Sequence, residues 1–186
     1  MTGMVQPGAM AEVTTETGTS GMARSFERFF QDEYDGLSRA LYLVTGSRTE
    51  AEDVAQEAMV RVFEHWDRVM STRSPVGYLY RTALNLYRSR LRRAAVRLRR
   101  GTPETAHLDP IAVAEDRDEL GRLLAALPDG QREALVLVAW LGMTNSEAGE
   151  VLGIEPVSVR VRVSRATAAL RAGRDHEPVR EGDHDE

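Results

Sequence analysis

The segment 144–171 constrains the fold more than any other part of the chain. Thr144 and Glu147 stand at the spacing of a capping box, in which two side chains satisfy backbone amides at a helix start. Gly153 suits the left-handed conformation that ends many helices. Pro156 fits the first turn of a second helix, where a missing N–H costs nothing. The segment therefore predicts two short helices joined by a tight turn.

The second helix of this segment is strongly basic. It carries arginines and no acidic residue, and the arginines are Arg160, Arg162, Arg165 and Arg171. A helix-turn-helix with a basic second helix is a form that enters the major groove of DNA. Two amphipathic helices with a glycine turn are also common in other proteins, and surface arginines are often only solvated. On this segment alone both interpretations stay open.

Size and composition restrict the alternatives. The 186 residues suffice for one domain or two small ones, and a hydrophobic fraction of 42% supports a core. Cysteine is absent, which excludes disulfides, thiolate metal sites and a cysteine nucleophile. The histidines are scattered, and no apolar run approaches the roughly 20 residues that span a bilayer. We therefore expect no cofactor, no metal and no membrane insertion.

Helical patterns alternate with irregular segments along the chain. Residues 1–24 are rich in Gly, Thr, Ser and Met, which predicts a disordered extension. Helical periodicity covers residues 25–100 and 119–172, without a competing strand pattern. Residues 101–118 are acidic with two prolines and predict a linker, and residues 173–186 form an acidic, disordered tail. We expect an all-α protein with two small helical domains joined by a flexible linker.

One amphipathic helix is predicted at residues 49–66. Thr49 and Glu52 at its start have the spacing of a second capping box. Apolar residues recur along one face at helical spacing, namely Ala51, Val54, Ala55, Ala58, Val62 and Trp66. The opposite face is polar and carries Asp53, Gln56, Glu57, Arg61 and Glu64.

A further helix, predicted at residues 76–97, has an unusual charge pattern. Residues 74–103, which include this helix, carry eight arginines and no acid, with tyrosines interleaved. Arginines that track phosphates and rings that stack on unpaired bases are typical of single-stranded nucleic-acid binding. The alternative is that Tyr80, Leu84 and Tyr87 pack inward while the arginines are solvated. Part of this alternative must hold, because a helix needs a core face.

Three separated stretches together resemble the bacterial RNA polymerase sigma factors of the extracytoplasmic-function (ECF) type, within the sigma-70 family. Residues 50–66, EAEDVAQEAMVRVFEHW, are similar to sigma region 2.1–2.2. Residues 74–93, SPVGYLYRTALNLYRSRLRR, are similar to region 2.3–2.4, and residues 127–171 to region 4. The resemblance covers nearly all of residues 25–172. It implies a promoter-specificity subunit without catalytic activity of its own.

The resemblance also implies three sets of functional residues. A surface that docks on core polymerase matches Asp53, Gln56, Glu57 and Arg61. An element that melts and reads the −10 promoter element matches Tyr78, Arg81, Asn85, Arg88 and Arg92. A reader of the −35 element in duplex DNA matches Ser158, Arg160, Arg162 and Arg165.

The chain departs from the family pattern in the second helix of its helix-turn-helix. A Gly-Thr pair that is common at the start of this helix is Val157-Ser158 here, and a Ser-Arg pair is Val161-Arg162. We therefore expect base preference at these positions to differ from the family's. In the element that reads the −10 sequence, the family usually has Trp at the position of Tyr78. The tyrosine keeps a stacking ring, but its area is smaller than that of Trp.

The implied partners are core RNA polymerase, through its β′ clamp helices and its β subunit, promoter DNA, and an anti-sigma factor. The expected location is the bacterial cytoplasm, with nucleoid association in the holoenzyme. On the residues alone, an autonomous helix-turn-helix regulator explains the C-terminal half equally well. A metal-dependent enzyme would use Glu50, Glu52, Asp53 and Glu57, which share an exposed helix face without identifiable partner ligands.

Overall fold

The computed structural model describes residues 13–100 and 119–175 of the chain, and its side chains over residues 21–99 and 120–173. Every regular element in those ranges is a helix, and the expected all-α fold is confirmed. The elements are α1 (Val13–Thr45), α2 (Arg48–Glu64), α3 (Trp66–Met70), α4 (Pro75–Arg100), α5 (Glu119–Ala125), α6 (Asp129–Leu135), a π-helical turn (Val136–Trp140), α7 (Asn145–Leu152) and α8 (Pro156–Asp175). The predicted linker 101–118 lies outside the described residues.

The two ends of the described chain are more helical than the sequence predicts. The expectation of disorder through residue 24 is wrong from Val13 onward, because α1 runs unbroken from there to Thr45. Extending a packed helix needs no new nucleation, so residues of modest helix propensity can join it. Helix α8 likewise continues to Asp175, beyond the expected start of the tail at residue 173. Residues 1–12 and 176–186 lie outside the described part.

Helix α2 starts and ends differently from the prediction. Its N-cap is Ser47, whose hydroxyl oxygen accepts a hydrogen bond from the amide of Glu50 at 3.3 Å. The predicted capping box at Thr49 is therefore wrong, since the chain enters the helix two residues earlier. The helix also stops at His65, and Trp66 begins the short helix α3.

Helices α1, α2 and α4 enclose the first part of the core. Helix α2 buries the apolar face that the sequence predicts except for Trp66, which lies in α3, and α1 and α4 contribute Leu37, Leu41, Leu79 and Ala83. Trp66 is buried against the rings of Phe26 and Phe29, at centroid distances of 5.3 and 5.0 Å. Each fully buried Leu or Val contributes about 1.5–3 kcal/mol relative to an exposed one. This packing fixes which faces of α2 and α4 reach the solvent.

The helix-turn-helix forms as the sequence predicts. The Thr144 hydroxyl accepts from the Glu147 amide at 3.3 Å, and the Thr144 amide donates to the Glu147 carboxylate at 2.8 Å. Gly153 has φ 70° and ends α7, and α8 begins at Pro156. Local signals suffice here, because each cap is formed by residues within one turn of chain.

A close backbone approach holds α7 against the turn that follows it. A β-carbon at Gly149 would lie 2.7 Å from the carbonyl oxygen of Ile154, which is shorter than van der Waals contact. Glycine at this position therefore lets the turn between α7 and α8 fold tightly back over α7.

The helix before this motif begins earlier than expected. The sequence predicts a helix at residues 131–141 with Asp129 as its cap, but α6 starts at Asp129 itself and Pro128 is its N-cap. The Asp129 carboxylate instead accepts a hydrogen bond from Arg132 at 2.6 Å. The helix ends in the π-helical turn, and Gly142, with φ 68°, follows it.

The two helical blocks share one core. Buried residues of α1, α2 and α4 are continuous with a set from the second block, namely Ala134, Val136, Leu137, Ala148, Val151, Leu152 and Val159. Helix α7 packs against α4, and the π-helical turn packs against α1. A smaller cluster of Leu124, Leu127 and Ala166 joins α5 to α8. The helix-turn-helix is therefore held directly against the arginine-rich helix α4.

Candidate nucleic-acid interface and docking surface

The polar face of α2 is only partly free. Asp53 and Gln56 are exposed. Glu57 is half-buried and accepts hydrogen bonds from Arg61 at 2.7 Å and from Arg90 of α4 at 2.8 Å. The hydrogen bond from Arg90 lowers the pKa of the Glu57 carboxyl. Of the predicted docking residues, Glu57 thus also ties α2 to α4.

Arg90 bridges two acids of α2. Its second guanidinium nitrogen donates to Glu50 at 3.1 Å. Burial by itself lowers the pKa of the Arg90 guanidinium, but the hydrogen bonds to Glu57 and Glu50 outweigh burial, and the pKa is raised. Sequence reasoning missed this role, because the partners lie 40 and 33 positions away from Arg90.

The predicted −10 residues of α4 divide into exposed and engaged side chains. Arg81, Asn85 and Arg92 are exposed, and Tyr78 is half-buried. Tyr80 and Tyr87 are buried in the core, and burial raises the pKa of both phenols. These two rings and Leu84 form the inward face of the helix, so that part of the alternative interpretation holds.

Arg88 of α4 is paired with Glu133 of α6. Its Nε donates to Glu133 Oε1 at 2.9 Å, and its Nη2 donates to the other carboxylate oxygen. The Glu133 side chain is 3% exposed and the Arg88 side chain 27%. This bidentate hydrogen bonding raises the pKa of Arg88. The pair joins the two helical blocks across 45 positions, and no local pattern in the sequence indicates it.

A cleft of about 420 Å³ separates the start of α4 from α7. Tyr78 and Arg81 line one side of it, and Glu147 and Glu150 line the other. Arg73 reaches across to Glu150, with 3.8 Å between Nη1 and Oε1. In this arrangement, acids of the helix-turn-helix therefore face two of the predicted −10 residues.

The predicted −35 residues lie on α8. Arg160 and Arg165 are exposed, whereas Ser158 and Arg162 are half-buried. The Arg162 guanidinium lies over Gly130, where a β-carbon would come within 2.9 Å of Nη1. Among the side chains of residues 21–99 and 120–173, none of these three arginines forms an ion pair with an acid.

Other kinds of site are not indicated by the described residues. Among them, no group of three or more His, Cys, Asp or Glu side chains is placed to hold a metal ion. No helix in the same ranges combines the length and the apolar character needed to cross a membrane. The described residues do place exposed arginines on α4 and on α8, the second helix of a helix-turn-helix. This arrangement is typical of helix-turn-helix DNA-binding proteins.

Comparisons with known proteins narrow the class. The family model "Sigma-70 region 2" matches residues 29–97, and "Sigma-70, region 4" matches residues 117–170. The ECF RNA polymerase sigma factor ShbA of Streptomyces griseus subsp. griseus is 35% identical over 156 residues, which cover 73% of this chain and 77% of ShbA. The chain belongs to the ECF RNA polymerase sigma factors, and it is a promoter-recognising sigma subunit.

Solved structures share the fold. The structure of CnrH in complex with the cytosolic domain of CnrY matches with a TM-score of 0.64 and 29% identity, covering 86% of this chain and 94% of CnrH. The sigma factor RpoE of Bartonella quintana, in complex with the anti-sigma factor NepR, matches with a TM-score of 0.70. RpoE is 18% identical, over 83% of this chain and 99% of RpoE, and the likeness therefore speaks for the fold alone.

Proposed function

We propose that this sigma subunit docks on core RNA polymerase through α2, reads the −10 element through α4 and reads the −35 element through α8. It has no catalytic activity of its own. The observation that carries the proposal is the outward face of α8, whose Arg160 and Arg165 are exposed and have no acidic partner among the described residues. Arginines in this state are available for phosphates and for guanine edges in the major groove.

The proposed roles divide between two domains. Residues 25–100 form the region 2-like domain, and residues 119–172 form the region 4-like domain. The acidic segment 101–118 connects them. Because both domains act on one polymerase, the joined surfaces need only weak individual affinity for DNA. This accommodates a formal net charge of −5 for the whole chain.

The docking surface on α2 centres on Asp53 and Gln56, which are exposed and one helical turn apart. Glu57 and Arg61 are hydrogen-bonded to each other at 2.7 Å and border this surface. We infer that Asp53 and Gln56 contact the β′ clamp helices directly. Glu57 also belongs to this docking surface, although one of its carboxylate oxygens accepts a hydrogen bond from Arg90.

The −10 surface combines three exposed residues with two that must be released. Arg81, Asn85 and Arg92 are accessible as the structure stands. Tyr78 borders the cleft between the blocks, and Arg88 is bound by Glu133. Arg88 can hold a phosphate only after its pair with Glu133 breaks, and we therefore propose that α6 and α7 separate from α4 when the subunit engages a promoter.

A protein regulator is a further proposed partner. The CnrH structure contains the cytosolic domain of CnrY, and we propose that this chain likewise has a binding partner of the anti-sigma kind. We place the subunit in the bacterial cytoplasm, associated with the nucleoid when it is part of the holoenzyme.

Run-off transcription with core polymerase tests the proposal. We expect promoter-dependent transcripts that require both the −10 and the −35 sequence. The double variant Asp53→Ala/Gln56→Ala should lose binding to core polymerase while its circular dichroism spectrum and Tm stay unchanged. Asp35→Ala, which removes an exposed acid of α1, is the matched control and should bind as the unmodified chain does.

Two outcomes would count against the proposal. Operator binding by the free chain with no effect of core polymerase would instead indicate an autonomous regulator. Full retention of polymerase by the folded α2 double variant would remove Asp53 and Gln56 from the docking surface.

A further inference from the structure

We propose that Val157 and Val161 read the 5-methyl groups of thymine in the −35 element, so that this recognition helix selects thymine near the centre of its contact. The inference rests on the proposed binding of α8 in the major groove. It adds a base preference that arises from two apolar residues rather than from the arginines.

The position of the two valines on α8 carries the argument. Val159 and Ala166 are fully buried and mark the side of α8 that faces the core. Successive residues of an α-helix are turned by about 100°, so residues two positions from Val159 are turned by about 200° from it. Val157 and Val161 therefore point away from the core, and they are 54% and 42% exposed. Ser164 continues this outward stripe and is exposed as well.

Arginines border the valine stripe on both sides. By the same helical geometry Arg160 is turned by about 100° from Val159, and Arg165 by about 120° in the opposite direction. Both are exposed, and neither has an acidic partner in the described part of the chain. A helix lying in the major groove meets phosphates along its two flanks and base edges under its centre. The charge pattern thus places the valines over the bases.

The chemistry of the major groove decides what two valines can recognise there. The base edges present hydrogen-bond donors and acceptors and one apolar group, the C5 methyl of thymine. A valine cannot hydrogen-bond to a base, and its branched side chain is stiff about χ1, so it presents methyl groups in a defined position. Thymine is therefore the base that matches this stripe.

Ordinary surface exposure is the competing explanation, since single exposed apolar residues are common on proteins. Two features favour recognition. The valines are one turn apart on the same face, and they lie between Arg160 and Arg165, two exposed arginines of the helix that contacts DNA in the proposed function.

The experiment uses the holoenzyme, formed from the full chain and core polymerase. Promoters are first selected from a library that is randomised in the −35 element, and we expect thymine to be enriched at one or two positions. Each selected thymine is then replaced by deoxyuridine, which removes the methyl group and keeps every hydrogen bond. We expect open-complex formation to fall about fourfold per contacted methyl, the factor that corresponds to burying one such group.

Valine variants connect that loss to α8. With Val157→Ala or Val161→Ala, open-complex formation on thymine and deoxyuridine promoters should differ by less than twofold. We expect each variant to show this at one promoter position. Val60→Ala, which shortens an exposed valine of α2, is the matched control and should keep the full difference. Because the changed side chains of α8 are exposed, thermal unfolding should be unaffected.

The outcomes separate this inference from the proposed function. Equal use of thymine and deoxyuridine promoters, or a difference that persists in both α8 variants, overturns the methyl contact while the requirement for a −35 element stands. Transcription that is indifferent to the whole −35 sequence overturns the proposed role of α8, and the methyl contact with it.

Discussion

Helices α4 and α8 are both rich in arginine, yet two arginines in the middle of α4 are paired with acids of neighbouring helices, whereas the outward arginines of α8 are not. In the middle of α4, Arg88 is bound by Glu133 and Arg90 by Glu50 and Glu57. On α8, Arg160 and Arg165 are exposed and form no ion pair within the described ranges. The same residue type thus holds helices together in one place and remains free for a partner in the other.

The difference shows that arginine content alone does not locate a nucleic-acid surface. The packing of the helices decides it, because it brings Glu133 against Arg88, and Glu50 and Glu57 against Arg90, while no acid among the described side chains is brought against Arg160 or Arg165. The Arg88–Glu133 pair also makes the proposed −10 surface of α4 depend on the arrangement of the second helical block. Among the described side chains, no ion pair ties Arg160 or Arg165 of α8 to the first block.

Removing Arg88 should produce the largest effect. Arg88→Ala leaves the buried Glu133 carboxylate without its cation, and we expect the free energy of unfolding to fall by about 3 kcal/mol. Arg165→Ala on α8 should change it by less than about 0.5 kcal/mol, since an exposed side chain without a partner is lost. Urea denaturation measures both values. Equal losses in the two variants would contradict the contrast between the helices.

The position of α8 should depend on backbone fit more than on arginine pairs. Gly149→Ala would push a β-carbon against the Ile154 carbonyl oxygen, and we expect a loss of about 2 kcal/mol, typical of overpacking. The control is Gly173→Ala on α8, where the new carbon meets only Leu123 at 3.5 Å. It should be neutral or stabilising, because alanine has the higher helix propensity. The Tm values of both variants measure this. A loss in Gly149→Ala alone supports the close backbone contact, whereas equal losses would indicate a general sensitivity to added methyl groups.

For DNA binding we expect changes in the arginines of α8 to have larger effects than a change in the paired Arg90 of α4, the reverse of their expected effects on stability. Arg160→Ala and Arg165→Ala should each lower the slope of log affinity against log salt by about one for holoenzyme on promoter duplex, if each holds a phosphate. Arg90→Ala should leave the slope unchanged, because its guanidinium is occupied by Glu50 and Glu57. Affinity titrations at several salt concentrations provide the slopes. A slope that falls only in the Arg90 variant would reverse the assignment of the two helices.

The smallest effect concerns acid sensitivity of the α2–α4 contact. The Arg90 hydrogen bond lowers the pKa of Glu57 from 4.5, so the stabilisation is present above that value and is lost as the pH falls through the lower folded-state pKa. We expect Glu57→Gln to lose less stability than the unmodified chain between neutral pH and this acidic range. Solvent screening keeps the effect small, since the Glu57 side chain is 38% exposed. Gln56→Ala, without a titrating group, should follow the unmodified chain's pH curve.

Much of the fold follows from local patterns in the sequence. The capping box at Thr144, the left-handed Gly153 and the buried face of α2 all form as predicted. The misplaced N-cap shows the limit of such patterns. Ser47 and Thr49 both have hydroxyls, and the conformation of the preceding turn, in which Ser47 itself is extended, decides which one caps α2.

The sequence predicts the candidate surfaces as sets of residues, but it does not show which of their side chains are exposed and which are paired. The sequence by itself determined the helices, their apolar faces and the basic character of α4 and α8, because periodicity and capping involve residues within a turn or two. The tertiary structure alone decided that Glu133 takes Arg88, that Arg90 takes Glu50 and Glu57, and that the helix-turn-helix lies against α4. Ion pairs between residues 33 to 45 positions apart depend on which helix faces meet, and that is settled only when the whole core packs.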